Sequence, residues 1–236
     1  MVNRKLYYNL KKNIFYIFII FIFIICLISI HFKPYHIIKE GLETNEIIPA
    51  PKMLLFDNPI KLKRNLGISF SIILNSINTG DWKQILGITP NRDGSDIRIF
   101  TASLCPGGNK LAFRTASIDN WDEKILGCDV DVPVNEYIRI DILSNSIEYG
   151  KRQNIVVYMT NISKKEKSKQ VANVILPPPQ YEPGKGYNDG WVFTSYKNVN
   201  DVIDGRLKDI VFATGDTDIT IQNLDDAINY SKSKKK

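Results

Sequence analysis

The sequence predicts an all-β domain, two antiparallel sheets packed face to face, preceded by one transmembrane helix. Three observations carry this reading. From Gly67 onward short apolar runs alternate with polar residues at period two, as in Phe70, Ile72 and Leu74 against Ser69 and Ser71, or Ile138, Ile140 and Ile142 against Arg139 and Asp141. Glycine, asparagine, aspartate and proline separate these runs, and no helical period appears before the last few residues. Ahead of them, residues 14–30 form an uncharged apolar run, IFYIFIIFIFIICLISI. Roughly ten strands without interleaved helices are accommodated as two packed antiparallel sheets.

Taken in order, residues 1–13 are a basic tail with Arg4, Lys5, Lys11 and Lys12 and no acid. Ile14 to Phe32 spans roughly 28 Å as a helix, close to the ~30 Å hydrocarbon core, so a lipid bilayer is an expected partner. The positive-inside rule puts the N-terminus in the cytoplasm. This is a single-pass type II arrangement, with the domain extracellular, lumenal or on a virion surface. A cleaved secretory signal fits less well, because the run ends in Ile-His-Phe-Lys-Pro and offers no small-residue site. Residues 33–57 carry Pro34, Pro49 and Pro51 without a sustained period and read as a stalk. Met53 to Asn58 is a candidate first edge strand.

The domain occupies residues 58–229, and residues 230–236 are a basic tail. After the strand ending at Leu74, further strands are expected at Trp82 to Leu86, Ile97 to Thr101, Lys110 to Thr115, Ile138 to Ile142, Asn154 to Thr160, Ala172 to Leu176, Gly190 to Tyr196 and Leu207 to Ala213. Turns fall at Asn78-Thr-Gly80, Asp93-Gly94, Pro106 to Asn109 and Gly184 to Gly190. About 200 residues beyond the apolar run are enough for one core and too few to expect two.

The formal charge of +6 is concentrated at the ends. Without Arg4, Lys5, Lys11 and Lys12 and without Lys232, Lys234, Lys235 and Lys236, the body is close to neutral. A nucleic-acid binder concentrates basic charge on its folded face, so nucleic acid is not an expected partner. Lysine outnumbers arginine 23 to 8, a bias that suggests an AT-rich genome and leaves the fold undetermined.

The order of landmarks resembles a known family. LGISFSIIL is followed by DWKQILGI, then by IRIFTASLCPGGNKLAFRTAS, then by GCDVDVPVNEYIRIDIL and NIVVYMTN, and finally by IDGRLKDIVFATGDTDITIQNLDDAI. In this order they resemble the concanavalin A-like or laminin G-like jelly rolls. Asn161 stands at the asparagine of a Tyr-x-Asn-Gly strand end, with Ile162 where glycine is usual. Leu224-Asp-Asp-Ala-Ile228 resembles the closing Leu-x-x-x-x-Ile of the family with one residue fewer. The resemblance implies a lectin-like sandwich from about Asn58 to Asn229, and the membrane-anchored version resembles those of large DNA viruses.

Both histidines, His31 and His36, precede the domain, which removes Ser-His-Asp, Cys-His and histidine-ligated metal chemistry from it. Glycoside hydrolysis needs two carboxyl groups about 5 to 9.5 Å apart. Enzymes of this fold resembling laminarinases carry Glu-x-Asp-x-x-Glu on one strand. Here Glu123, Glu136, Glu148, Glu166 and Glu182 are widely spaced, and Asp129-Val-Asp131 lacks the third acid. The chain is therefore expected not to be an enzyme.

Two loop clusters are candidate ligand sites. In the first, Trp121 offers an indole face for a sugar while Asp119, Asn120 and Asp122 offer hydrogen bonds to hydroxyls. The second holds Tyr187, Asn188 and Asp189. The structural alternative for both is a turn with an aromatic over a sheet edge. Trp82 and Trp191 lie on strands and are expected in the core. Cys105 and Cys128 are candidates for a disulfide in an oxidising compartment, the alternative being two free buried thiols. Asn161-Ile-Ser163 is a candidate glycosylation site, as is Asn229-Tyr-Ser231 near the tail. No cofactor is required, and Asp216-Thr-Asp218 is a candidate contributor to a calcium site. Together these features describe a membrane-anchored binding module for glycan or protein. The alternatives are a structural virion or membrane protein without a small ligand, and a carboxylate-dependent glycoside hydrolase.

Overall fold

The computed structural model describes residues 19–23, 36–43, 45–92, 98–118, 120, 122–148, 152–180, 189–195 and 202–234. The chain divides into two compact units, Met1–Pro34 and Tyr35–Lys236. In the first, only residues 19–23 are described, and they are helical. Five residues rise about 7 Å, a quarter of the ~30 Å bilayer core. Among the described residues no helix is long and apolar enough to cross a membrane. The expected localisation as a single-pass membrane protein, with the bilayer as partner, is corrected on that ground. The rest of the span Ile14 to Phe32 lies outside the described residues.

The second unit is a two-sheet antiparallel sandwich. Its strands are β1 (His36–Glu43), β2 (Ile60–Lys61), β3 (Asn65–Leu74), β4 (Lys83–Thr89), β5 (Phe100–Leu104), β6 (Lys110–Thr115), β7 (Glu123–Asp131), β8 (Ile138–Glu148), β9 (Arg152–Asn161), β10 (Lys169–Leu176), β11 (Asp189–Phe193) and β12 (Gly205–Gly215). The first sheet has the order β1-β12-β3-β8-β9-β10 and the second β2-β11-β4-β5-β6-β7. β1 falls inside the stretch read as a stalk, where it pairs with β12 and closes one edge of the first sheet. Met53 to Asn58 forms one bridge, Leu54 to Phe193, in place of a strand. Pro51 and Pro59, which lack the backbone N–H that a ladder needs, flank it.

Alternation sends Leu66, Ile68, Phe70, Ile72 and Leu74 of β3 and Ile138, Ile140 and Ile142 of β8 inward, against Leu86, Ile88, Phe100, Ala102, Leu104, Leu111 and Phe113 of the second sheet. Phe56 meets Phe212 edge-on with centroids 5.7 Å apart, and Phe100 stacks on Phe113 at 6.3 Å. These separations lie in the range where aromatic pairs add to area burial.

The outer face of the first sheet carries Gly67, Leu143, Val211 and Ala213, and the C-terminal helix Ile221–Lys234 lies over it. Thr220 starts that helix through a reciprocal cap. Its hydroxyl accepts from the Asn223 N–H at 3.3 Å, and the Asn223 side-chain oxygen accepts from the Thr220 N–H at 2.9 Å. Ile219, Leu224, Ala227 and Ile228 then pack down on the sheet. Gly67 sets their approach, because a Cβ there would stand 2.7 Å from the Ile219 Cγ2 and 3.1 Å from the Leu224 Cδ2.

One charged network joins helix to sheet. Arg139 Nη2 lies 2.8 Å from Asp141 Oδ1, its Nη1 lies 2.5 Å from Asp225 Oδ1, and its Nε donates to the Ser69 hydroxyl at 3.2 Å. Asp141 is 2% exposed. Burial pushes its carboxyl above the ordinary aspartate range, and Arg139 pulls it back. Removing one partner of such a pair strands the other, whereas replacing both by apolar residues does not. Arg139→Met is therefore expected to cost about 3 to 5 kcal/mol. The double variant Arg139→Met/Asp141→Leu should recover most of that loss, as read from urea unfolding midpoints. Equal losses in the two variants would contradict this account.

Candidate functional site

The outer face of the second sheet is built differently. Since Leu86, Ile88, Phe100, Ala102, Leu104, Leu111, Phe113 and Val192 point into the core, alternation turns Gly87, Thr89, Thr101, Ser103, Ala112, Arg114, Trp191 and Phe193 outward. The registers line them up: Phe193 stands opposite Gly87, Gly87 opposite Thr101, Thr101 opposite Arg114 and Arg114 opposite Lys124. The centre of this face is small or polar and is buried, with Thr89, Thr101 and Ala112 at 4% exposure or less. Its flanks are aromatic and basic.

Two indoles occupy those flanks, each with a guanidinium over its ring. Arg92 lies 5.3 Å from the Trp191 centroid and Arg114 lies 5.7 Å from the Trp82 centroid, both within cation–π range. Trp82 is 40% exposed. The core position expected for both tryptophans is thus corrected. Trp82 precedes the first paired residue of β4, and Trp191 follows the outward phase set by Val192. Arg114 Nη1 also pairs with Asp122 Oδ2.

Of the expected loop clusters, Asn120, Asp122 and Asp189 are described, while Asp119, Trp121, Tyr187 and Asn188 lie outside the described residues. The Asn120 side-chain oxygen accepts from the Asp122 N–H at 3.1 Å, and its own N–H donates to the Ser117 hydroxyl at 3.0 Å. Asp189 pairs with Lys61 at 2.6 Å. Through Trp191 opposite Thr89, Ile88 opposite Phe100, and Phe100 and Glu123 both opposite Thr115, Asp189 and Asp122 reach the same end of the sheet. β4, β5 and β6 lie between them. The sequence pointed to this end and not to the face, whose arginines carry no motif.

The other candidates are placed as follows. Cys105 and Cys128 are bonded, their Cα atoms 5.9 Å apart, which ties the end of β5 to β7 across β6. Asn161 is buried, its side-chain amide donating to Glu136 at 2.5 Å and its oxygen accepting from the Lys164 N–H at 3.0 Å. Lys164 and Asn161 together hold the Glu136 carboxyl below its usual range. Asp216 pairs with Lys63 at 3.2 Å. Among the described residues no group of three or more histidine, cysteine or acidic side chains can hold a metal. The Tyr137 phenol, which donates to Glu46, is pushed up to about 12 by burial and by that bond, and so stays protonated near neutral pH. At the end of the sandwich beyond β3, a cavity of about 310 Å³ is lined by Ser76, Asn78, Lys83 and Asp204 among others.

No protein-family model and no curated protein matches the chain. Among solved structures, a marine PL-14 alginate lyase from Aplysia kurodai is similar over 79% of this chain and 93% of that one, at 9% identity and a TM-score of 0.49. A GH54 α-L-arabinofuranosidase is similar over 83% of this chain at 8% identity and a TM-score of 0.48. This chain spans less than half of that enzyme, 43%. An alginate lyase from Chlorella virus is similar over 75% of this chain and 92% of that one, at 8% identity and a TM-score of 0.37. All three are enzymes. The expectation that this chain is not an enzyme is corrected accordingly and is not carried forward.

The bridge between Cys105 and Cys128 steadies the strand that carries Arg114. Closing a loop of 23 residues contributes about 3 kcal/mol in the chain-entropy model. The double variant Cys105→Ser/Cys128→Ser should lose about that much in urea unfolding. A loss below ~0.5 kcal/mol, the size of a surface change, would show that the bridge leaves the unfolded chain unconstrained.

Proposed function

We propose that the chain is a carbohydrate-engaging protein with a concanavalin A-like sandwich, and that the saccharide lies on the outer face of the second sheet. The observation that carries this reading is the pair of indoles on that face, Trp82 at 40% exposure and Trp191 beside the small residues Gly87 and Thr89. An indole joins a broad apolar ring to one N–H donor and suits ligands that are apolar on one side and hydroxylated on the other. Sugar rings have that character. The half-buried Ser103 and the exposed Asp122 supply a hydroxyl and a carboxylate on the same face. The C-terminal helix packs against β12, β1 and β3, all on the other sheet. The domain boundary at about Asn58 belongs to the same proposal, with β1 as an added edge strand.

The test is a panel of insoluble and soluble polysaccharides mixed with the full chain, scoring retention of the protein and release of new chain ends. Retention or cleavage on at least one polysaccharide is expected. Trp82→Ala and Trp191→Ala should each weaken it by tenfold or more. Neither retention nor cleavage on any member, or full activity in both variants, would refute the reading.

A further inference from the structure

We propose that the saccharide held on this face is an anionic chain, bearing carboxylate or sulfate groups, that crosses the strands and meets Arg92 and Arg114 together. This rests on the reading of the face given above and adds the ligand's charge and length to it.

The charge follows from what accompanies each indole. A neutral sugar needs only the ring, yet both rings carry a guanidinium, at 5.3 Å over Trp191 and 5.7 Å over Trp82. Arg92 is exposed, and among the described residues no carboxylate pairs with it. An arginine held beside an indole keeps N–H donors that match the paired oxygens of a carboxylate or sulfate. Arg114 is fixed by Asp122 through Nη1 alone, at 35% and 51% side-chain exposure, so this pair is open to a ligand and strongly screened. Lys124 stands opposite Arg114 on β7, and Lys110 points outward from β6 with Asp131 opposite it. The charged side chains of the face sum to one positive charge: Lys61, Arg92, Lys110, Arg114 and Lys124 against Asp122, Asp129, Asp131 and Asp189.

The length follows from the sheet. Trp191 is on β11 and Arg114 on β6, with β4 and β5 between them. Three strand spacings are about 14 Å. That exceeds a monosaccharide, so a ligand lying across these strands from β11 to β6 is an oligomer. Engaging both makes the second contact intramolecular and raises affinity without new chemistry.

The probes are dextran as the neutral chain, polygalacturonate as the carboxylated one and dextran sulfate as the sulfated one, each titrated against the full chain by calorimetry. At least one anionic chain should bind tenfold or more tighter than dextran, and a hexamer of galacturonate tenfold or more tighter than the dimer. Arg92→Gln and Arg114→Gln should each cost about tenfold toward the anionic chain and leave dextran unchanged, while Arg114→Lys should recover part of the loss. A preference for polygalacturonate over dextran sulfate would assign the carboxylate, and the reverse the sulfate. Because the C-terminal lysines attract any polyanion, the variant Lys234→Gln/Lys235→Gln/Lys236→Gln must retain the affinity. If that variant loses binding while the arginine variants do not, the inference is overturned. Equal binding of dextran and both polyanions, dependent on Trp82 and Trp191, overturns the anionic inference and leaves the carbohydrate face standing. Absence of binding to every chain overturns both.

Discussion

The contact between the inner faces of the two sheets is the constraint from which the other features follow. Phe70, Phe113 and Phe212 are fully buried between the sheets, among isoleucines from both. Burying a side chain of this size contributes roughly 1.5 to 3 kcal/mol. Each strand has only two faces. Once alternate residues are committed inward, the identity of the outward ones decides what each sheet does next.

The two sheets resolve that in opposite ways. The first turns Gly67, Leu143, Val211 and Ala213 outward, an apolar floor that must be covered, and the C-terminal helix covers it with Ile219, Leu224, Ala227 and Ile228. Around that contact, polar groups are drawn into the interior, as in Arg139 and Asp141. The second sheet turns Gly87, Thr89, Thr101, Ser103 and Ala112 outward, residues too small or too polar to hold a helix by burial. Large side chains stand only at its flanks, where Trp82 and Trp191 meet Arg114 and Arg92. The covered face is held by the helix, and on the other face the exposed groups stand at the margins, Trp82 and Arg92 among them.

Strands were legible in the sequence where alternation is unbroken. Lys110–Thr115 is found at its full length, β3, β9 and β12 lie within a few residues of their expected ends, and β8 starts at Ile138 as expected but runs six residues further, to Glu148. β7 was not foreseen, because register shifts beside Leu111 and Phe113 break its period, leaving Ile125 and Leu126 both buried. β1 was hidden for another reason. An edge strand is held largely by backbone hydrogen bonds to one neighbour, here β12, and needs little pattern of its own. The tryptophans were misplaced because hydrophobic character cannot say which face of a strand a residue takes. That depends on phase, which Val192 sets for Trp191. The arginines were invisible for a related reason: Arg92 and Arg114 are 22 positions apart in sequence and become one site only through the order β4-β5-β6.

The coupling of each arginine to an indole bears on how such a face holds a ligand. A free arginine side chain carries about 2 kcal/mol of rotamer entropy, which is lost when a ligand fixes it. Arg92 on Trp191, and Arg114 between Trp82 and Asp122, have given up part of that freedom before any ligand arrives. The strands beneath them are hydrogen-bonded on both sides, and the Cys105 to Cys128 bond ties together the strands that flank β6. A ligand reaching this face therefore meets donors and rings already in place, and more of its contact energy survives as affinity. The loops at the end of the sheet, where Asn120, Asp122 and Asp189 lie, depend on turn hydrogen bonds and a surface ion pair. The strands hold the rings and guanidinium groups in place, and the loops beside them are the part of the molecule freest to vary.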